Sequence, residues 1–213
     1  YTLMSYTNPS DNPDTDIQEG VWWYPYWAAS GEYVLSSTPM VYDIAALQHL
    51  YGPTAYNEED TVYSYDPLSP FAEAIWDSGG VDTLTFDNFT TGLTISLKEG
   101  AYSTIPFEIA NPSDPSVVRG WSMKDNLGLA FGSEIENAVG GAGKDLVIGN
   151  SSDNVLRGNA GDDLFIFSAG NDEVFGGEGL DQVMIGGITG DDYGRTHSSD
   201  FTGSNLQVSI SSA

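Results

Sequence analysis

A chain of 213 residues with 40% hydrophobic side chains has enough apolar material for one or two packed cores. Its 31 acidic side chains against six basic ones give a formal net charge of −25, which excludes nucleic acid and anionic membrane surfaces as partners. The absence of cysteine rules out disulfides and thiolate metal sites, and no run of about eighteen apolar residues is present to span a membrane.

The first residues, Tyr1-Thr-Leu-Met-Ser-Tyr6, lack the charged start and apolar run of a signal peptide. An aromatic cluster at Trp22, Trp23, Tyr24, Tyr26 and Trp27 is too dense for a linker and reads as core or cleft wall. The segment Pro39 to Tyr51 is a predicted helix, with Ser37 or Thr38 as N-cap, Pro39 in the first turn and Gly52-Pro53 as the stop. Met40, Ile44, Leu47 and Tyr51 share one face at helical spacing, so the helix is expected to pack against a core. From Thr61 to about Ile109, short β-branched and aromatic runs at 61–65, 82–86 and 92–97 alternate with turn clusters and read as strands. Asn111 to Pro115 has the chemistry of a surface loop.

A nine-residue phase follows, with units starting at Gly140, Gly149, Gly158, Phe167 and Gly176. Its sixth position is Asp145, Asn154, Asp163, Asp172 and Asp181; its eighth is Val147, Leu156, Phe165, Val174 and Val183. In a three-residue strand the middle side chain points inward, so the eighth position is the predicted core column. Glycines crowd the first four positions, at Gly140, Gly141, Gly143, Gly158, Gly161, Gly176, Gly177 and Gly179, where tight turns leave carbonyl oxygens free. The pattern G-G-x-G-x-D-x-U-x is a calcium-binding β-helix repeat. Turn carbonyls with one Asp from each of two stacked turns supply about the six to eight oxygens that calcium takes. With two units per coil, partners lie eighteen residues apart and pair Asp145 with Asp163, Asn154 with Asp172, and Asp163 with Asp181. The Asn154 site, which carries a neutral side chain, is expected to be the weakest. Without metal the thin roll is expected to unfold, because metal binding and folding become one event. Past Ile188 the register is lost; Asp191 to Gly203 reads as a loop and Leu206 to Ile210 as a final strand.

Together these residues carry a family resemblance. Leu3-Met4-Ser5-Tyr6 resembles the Met-turn of metzincin zinc peptidases, and Pro39 to Gly52 resembles the last catalytic-domain helix of the serralysins. With the repeats behind them, the order is similar to that of a serralysin, a secreted bacterial zinc endopeptidase with a C-terminal repeats-in-toxin domain. The resemblance implies a mainly β chain. Residues 1–56 would be the remnant of a metzincin catalytic domain, and residues 57–213 a C-terminal domain in which β-strands lead into a right-handed parallel β-roll at 132–188. It places Met4 beneath the zinc as an apolar floor and makes Tyr6 the phenol that ligates zinc and then hydrogen-bonds the tetrahedral intermediate. It also implies further calcium ligands at Asp77, Gly79, Gly80 and Asp82, completed by Thr61 and Glu136.

The family's zinc pattern, His-Glu-x-x-His-x-x-Gly-x-x-His, is not in this sequence, whose two histidines are His49 and His197. The chain is therefore expected to be inactive by itself. The resemblance implies zinc and several calcium ions as cofactors, protein substrates, and extracellular localisation after type I export. An N-terminal fragment carrying the zinc ligands, or a proteinaceous protease inhibitor, are the expected protein partners. The competing reading is a non-enzymatic calcium-binding module serving secretion, stability or adhesion, which has no use for Met4, Tyr6 or the Pro39 helix.

Overall fold

The computed structural model describes residues 26–27, 33–34, 36–111, 114–121, 124–167, 169–185 and 198–202. Met4, Tyr6, His197 and the expected strand Leu206 to Ile210 lie outside them. The described chain is mainly β with a single helix and no closed barrel. In chain order it runs β1 (Tyr26–Trp27), β2 (Tyr33–Val34), α1 (Val41–Tyr51), β3 (Val62–Ser64), β4 (Glu73–Ile75), β5 (Thr83–Thr85) and β6 (Thr94–Ser96). Next come β7 (Tyr102–Ser103), β8 (Phe107–Asn111), β9 (Asp114–Trp121) and β10 (Leu127–Leu129). The last seven are β11 (Asn137–Val139), β12 (Leu146–Ile148), β13 (Val155–Ala160), β14 (Leu164–Phe167), β15 (Glu173–Glu178), β16 (Leu180–Ile185) and β17 (Ser198–Thr202).

Two five-stranded sheets organise this chain, in the orders β15-β13-β11-β5-β3 and β17-β16-β14-β12-β6. Every pairing in them is parallel except that of β17 with β16. Within the repeats each strand meets the one eighteen residues on, as Asn137 meets Val155 and Val155 meets Glu173, or Leu146 meets Leu164 and Leu164 meets Gln182. The sheets do not begin with the glycine repeats. Thr83 of β5 pairs with Asn137 and Thr94 of β6 with Leu146, so the segments read as preliminary strands form the first rows of both sheets. Between β6 and β11 the chain leaves the sheets to add β7 and β10 to β4, as the β4-β10-β7 sheet, and to make the β8-β9 hairpin. Of the loop expected from Asn111 to Pro115, Asn111 ends β8 and Asp114 and Pro115 begin β9, while 112–113 lie outside the described residues.

The core follows the strand period. Leu84, Ala138, Leu156 and Val174 point inward from one sheet and Ile95, Val147, Phe165 and Val183 from the other, all at most 2% exposed. The upstream rows are much thicker, because Phe86, Phe89, Leu93, Leu97, Ile105, Leu127, Leu129 and Ile135 join the same cluster. At the expected burial of about 25 cal/mol per Å² of apolar surface, these rows hold most of the fold's hydrophobic stabilisation.

Helix α1 stops at Tyr51 with Gly52 as its C-cap, as the sequence reading has it, but departs from that reading at its N-terminus. Its N-cap is Met40, whose backbone N–H donates to the Asp43 carboxylate at 3.0 Å. Thr38 is instead held by β4: its hydroxyl donates to the Ala74 carbonyl at 3.2 Å and accepts from the Ala74 N–H at 2.8 Å. Burial of this helix is concentrated at Met40, Val41 and Asp43, while Leu47 and Tyr51 are 44% and 83% exposed. The expected apolar face therefore anchors at its first turn only. None of the described helices is long and apolar enough to cross a membrane.

Candidate metal centre

The sixth-position side chains form two ladders, one at each edge where a strand is entered. On one edge the Leu93 N–H donates to Asp145 Oδ1, the Asp145 N–H to Asp163 Oδ1, and the Asp163 N–H to Asp181 Oδ1, at 2.8, 2.8 and 3.0 Å. On the other edge the Thr61 N–H donates to Asp82 Oδ1 at 2.7 Å, the Asp82 N–H to Glu136 Oε2 at 2.7 Å, and the Asn154 N–H to Asp172 Oδ1 at 2.9 Å. Each acid thus uses one oxygen to clip the coil before it. All of the aspartates on these ladders, and Asn154, are at most 1% exposed.

The second oxygens behave differently along the chain. Asp145 Oδ2 accepts the Gly141 N–H at 2.8 Å. Asp82, Asp163, Asp172 and Asp181 each bury an Oδ2 that receives no hydrogen bond. Burial pushes the Asp82 and Asp145 carboxyls up to about 6. Asp163 rises to about 7, through burial first and then the neighbouring charges of Asp145, Asp181 and Asp162. Burial also raises Asp172 and Asp181. These are desolvated carboxyls along the two sheet edges, and among the described residues no Lys, Arg or His side chain forms an ion pair with them.

Glycine carbonyls crowd the same turns. A Cβ built on Gly158 would collide with Asp163 Oδ2 and also with the Gly176 carbonyl oxygen, so both oxygens face the bare Cα of this turn. Gly140 repeats the arrangement with Asp145 Oδ2 and the Gly158 carbonyl. Gly158→Ala is therefore expected to collapse the local turn. In a calcium titration followed by circular dichroism it should lose the response of the last coils, whereas an unchanged titration would show the turn to be roomier than this geometry.

Upstream, Asp77 is fully buried and accepts from the Tyr63 hydroxyl at 2.6 Å and the Gly79 N–H at 3.2 Å. Burial and this carboxylate raise the Tyr63 phenol well above its ordinary value. Gly80 has φ +119°, and a side chain there would press on the Glu59 carbonyl at 2.8 Å. Among the described residues no three His, Cys, Asp or Glu side chains converge as a metal cluster. Asp163 has Asp145, Asp181 and Asp162 as charged neighbours, and its turn also holds the Gly176 carbonyl.

Residues 42–192 match the family model described as Peptidase M10 serralysin C terminal. The chain belongs to this family. Relatives include a metallopeptidase AprA of Pseudomonas marginalis, 36% identical over 162 residues that cover 70% of this chain and 28% of the relative. A metalloprotease AprA of Pseudomonas entomophila is 32% identical over 70% of this chain and 28% of its own length. A serralysin of a Photorhabdus species is 32% identical over 70% and 27%. The chain thus spans under a third of the length of these relatives. The serralysin C-terminal match takes in α1 from its second residue and the parallel strands of both sheets, while Met4 and Tyr6 precede it and β17 follows it.

In this serralysin C-terminal chain two participants escaped the sequence reading. Leu93, whose N–H closes the first rung on Asp145, lies 52 residues upstream, out of phase with a period of nine. Asn150 is the second, as a donor to the Leu97 and Ile135 carbonyls at 3.1 and 2.8 Å. By contrast, Asp82 and Leu84 stand 63 residues before Asp145 and Val147, seven whole units, which is a phase signal that marks β5 as a sheet row.

Proposed function

We propose that this chain is the C-terminal part of a secreted, calcium-stabilised zinc endopeptidase, and that its two parallel sheets are the faces of a right-handed parallel β-roll whose turns hold calcium. Right-handed winding is what parallel strands joined by crossovers adopt almost without exception. The observation that carries the calcium reading is the column of buried, donorless carboxylate oxygens on Asp163, Asp172 and Asp181, with Asp82 as an upstream member. Leaving one such oxygen unsatisfied costs about 1–3 kcal/mol or more, and four in one small fold call for a cation. Hard oxygen donors, two carboxylates with several carbonyls, fit calcium.

Asp145, Asp163, Asp172 and Asp181 would hold it with the carbonyls of the turns at Gly140, Gly141, Gly143, Gly158, Gly161, Gly176, Gly177 and Gly179. Asp77, Gly79, Gly80 and Asp82, with Thr61 and Glu136, would serve the upstream turns. Bound calcium would supply the positive charge those oxygens lack. The work of the repeats is then conditional folding: their calcium-holding coils are unfolded for export at cytosolic calcium and folded at the millimolar levels outside the cell.

The peptidase reading rests on the family and on the names of the relatives. Protein hydrolysis would belong to the whole protein, with zinc held by histidines upstream of this sequence, Met4 below them and Tyr6 able to hydrogen-bond the oxyanion. An N-terminal piece of the same protease is the partner this chain would need for activity.

Chelation tests the first half. Removing calcium should abolish most of the far-ultraviolet strand signal of the repeats, and returning it should restore the signal; a spectrum indifferent to chelator would end the calcium reading. The encoded sequence before Tyr1 tests the second half, and the lack of the three-His pattern there would remove the peptidase.

A further inference from the structure

One coil of the repeats is closed differently. Asn154, fully buried, accepts the Asn150 N–H on Oδ1 at 2.9 Å, as Asp145 accepts that of Gly141. Its Nδ2 donates to the Glu136 carbonyl at 3.0 Å and to Asn150 Oδ1 at 2.8 Å. Asn150 carries the network onward through its own amide, which donates to the Leu97 and Ile135 carbonyls. The amide orientation is fixed by these partners: exchanging O and N on Asn154 would set its NH₂ against the Asn150 N–H and its oxygen against the Glu136 carbonyl. A side-chain N–H therefore occupies the position where a cation would be needed to reconcile two inward-facing oxygens.

This turn lies at a change in the fold. Before it, the coils rest on the thick cluster of Phe86, Phe89, Leu93, Leu97 and Ile135, and Asp145 has both oxygens satisfied. The one donorless acid on that side, Asp82, sits in the row with the largest core. From Gly158 on, the buried apolar side chains among the described residues are Phe165, Val174 and Val183, and Asp163, Asp172 and Asp181 all bury a donorless oxygen.

We propose that Asn150 and Asn154 form a metal-independent rung that divides the fold: the coils up to it stay folded without calcium, and the coils from Gly158 to Ile185 fold only when calcium is bound. This deepens the calcium reading above and rests on it. It also reverses the sequence expectation for Asn154, which becomes a structural residue rather than the weakest calcium ligand.

Hydrogen–deuterium exchange on the full chain, in millimolar calcium and in chelator, reads the division directly. Chelation should raise exchange by about 100-fold or more in peptides from 158–185 and by no more than about 3-fold in those from 135–150. Asn154→Asp places a buried carboxylate against the Glu136 carbonyl and Asn150 Oδ1. It should bind one more calcium per chain by isothermal titration, and protection at 135–150 should become calcium-dependent. Asn154→Ala should add no calcium and should lose protection at 135–150 in both conditions. Uniform calcium dependence across 135–185 in the natural chain overturns the division alone, whether or not the variants fold, and so does Asn154→Asp with unchanged stoichiometry. A natural chain with no calcium response anywhere overturns the calcium reading and this division with it.

Discussion

Asp163→Asn is expected to destabilise the chain in calcium and to stabilise it in chelator. The substitution keeps shape and keeps an oxygen to accept the Asp145 N–H, now made at 2.8 Å. In calcium it removes the negative charge shared by the turns of Asp145 and Asp181. A site held at about 100 times its dissociation constant contributes about 2.7 kcal/mol, so weakening two lowers stability by about 3–5 kcal/mol. That corresponds to a fall in Tm of roughly 10 °C for a domain of this size. In chelator the sign turns over. The carboxylate is pushed up to about 7 by burial and by the charges of Asp145, Asp181 and Asp162, so at pH 8 its ionised form works against folding. A neutral amide removes that opposition. Thermal melts in calcium and strand signal in chelator decide the matter: a variant that melts like the natural chain in calcium and gains no strand signal in chelator would make Asp163 a plain hydrogen-bonding residue and leave the cation no role there.

The repeats were readable because their physics is local. A period of nine, an apolar eighth position and glycine-rich turns fix which residues face inward, and Val147, Leu156, Phe165, Val174 and Val183 are all buried as that pattern requires. The acids at the sixth position were readable for the same reason, although nothing in the period says that their second oxygens lack donors. What was not readable depends on chain returning from far away. The excursion through β7 to β10 separates Leu93 from Asp145, and Asn150 finds the Leu97 and Ile135 carbonyls only because that excursion ends where it does. A three-residue strand such as β3 carries too little pattern to announce that it continues a sheet, and β5 does so only through the phase of Asp82 and Leu84. The helix cap failed for another reason, since Ser37 and Thr38 have good capping chemistry but spend it on β4, where Ser37 donates to Glu73 and Thr38 pairs with Ala74. Asp43 three residues on then takes the Met40 N–H. Ser198 to Thr202, inside a polar stretch read as loop, pairs antiparallel with β16 because the edge of the last coil offers unpaired backbone groups.

Acidification is expected to order the calcium-free chain, the reverse of ordinary acid denaturation. In the folded state Asp82 and Asp145 titrate near about 6 and Asp163 near about 7, with Asp172 and Asp181 also raised. In the unfolded chain an aspartate titrates near about 3.9. Between these values the folded state binds more protons than the unfolded one, so its stability falls as pH rises through the window and is fully present only below it. The proton does in part what calcium does, neutralising oxygens that have no donor. Strand signal in calcium-free buffer should therefore grow as pH is lowered from 8 to 5. General relief of the net charge of −25 would act lower, near about 4, where exposed carboxylates titrate, so growth already above pH 5 separates the two causes. With calcium present the order reverses, because protons and calcium compete for the same carboxylates, and acidification below about 6 should weaken calcium binding. A calcium-free signal that stays flat or rises between pH 5 and 8 would mean that the buried aspartates are not held as uncompensated anions, and the case for a cation at the turns would go with them.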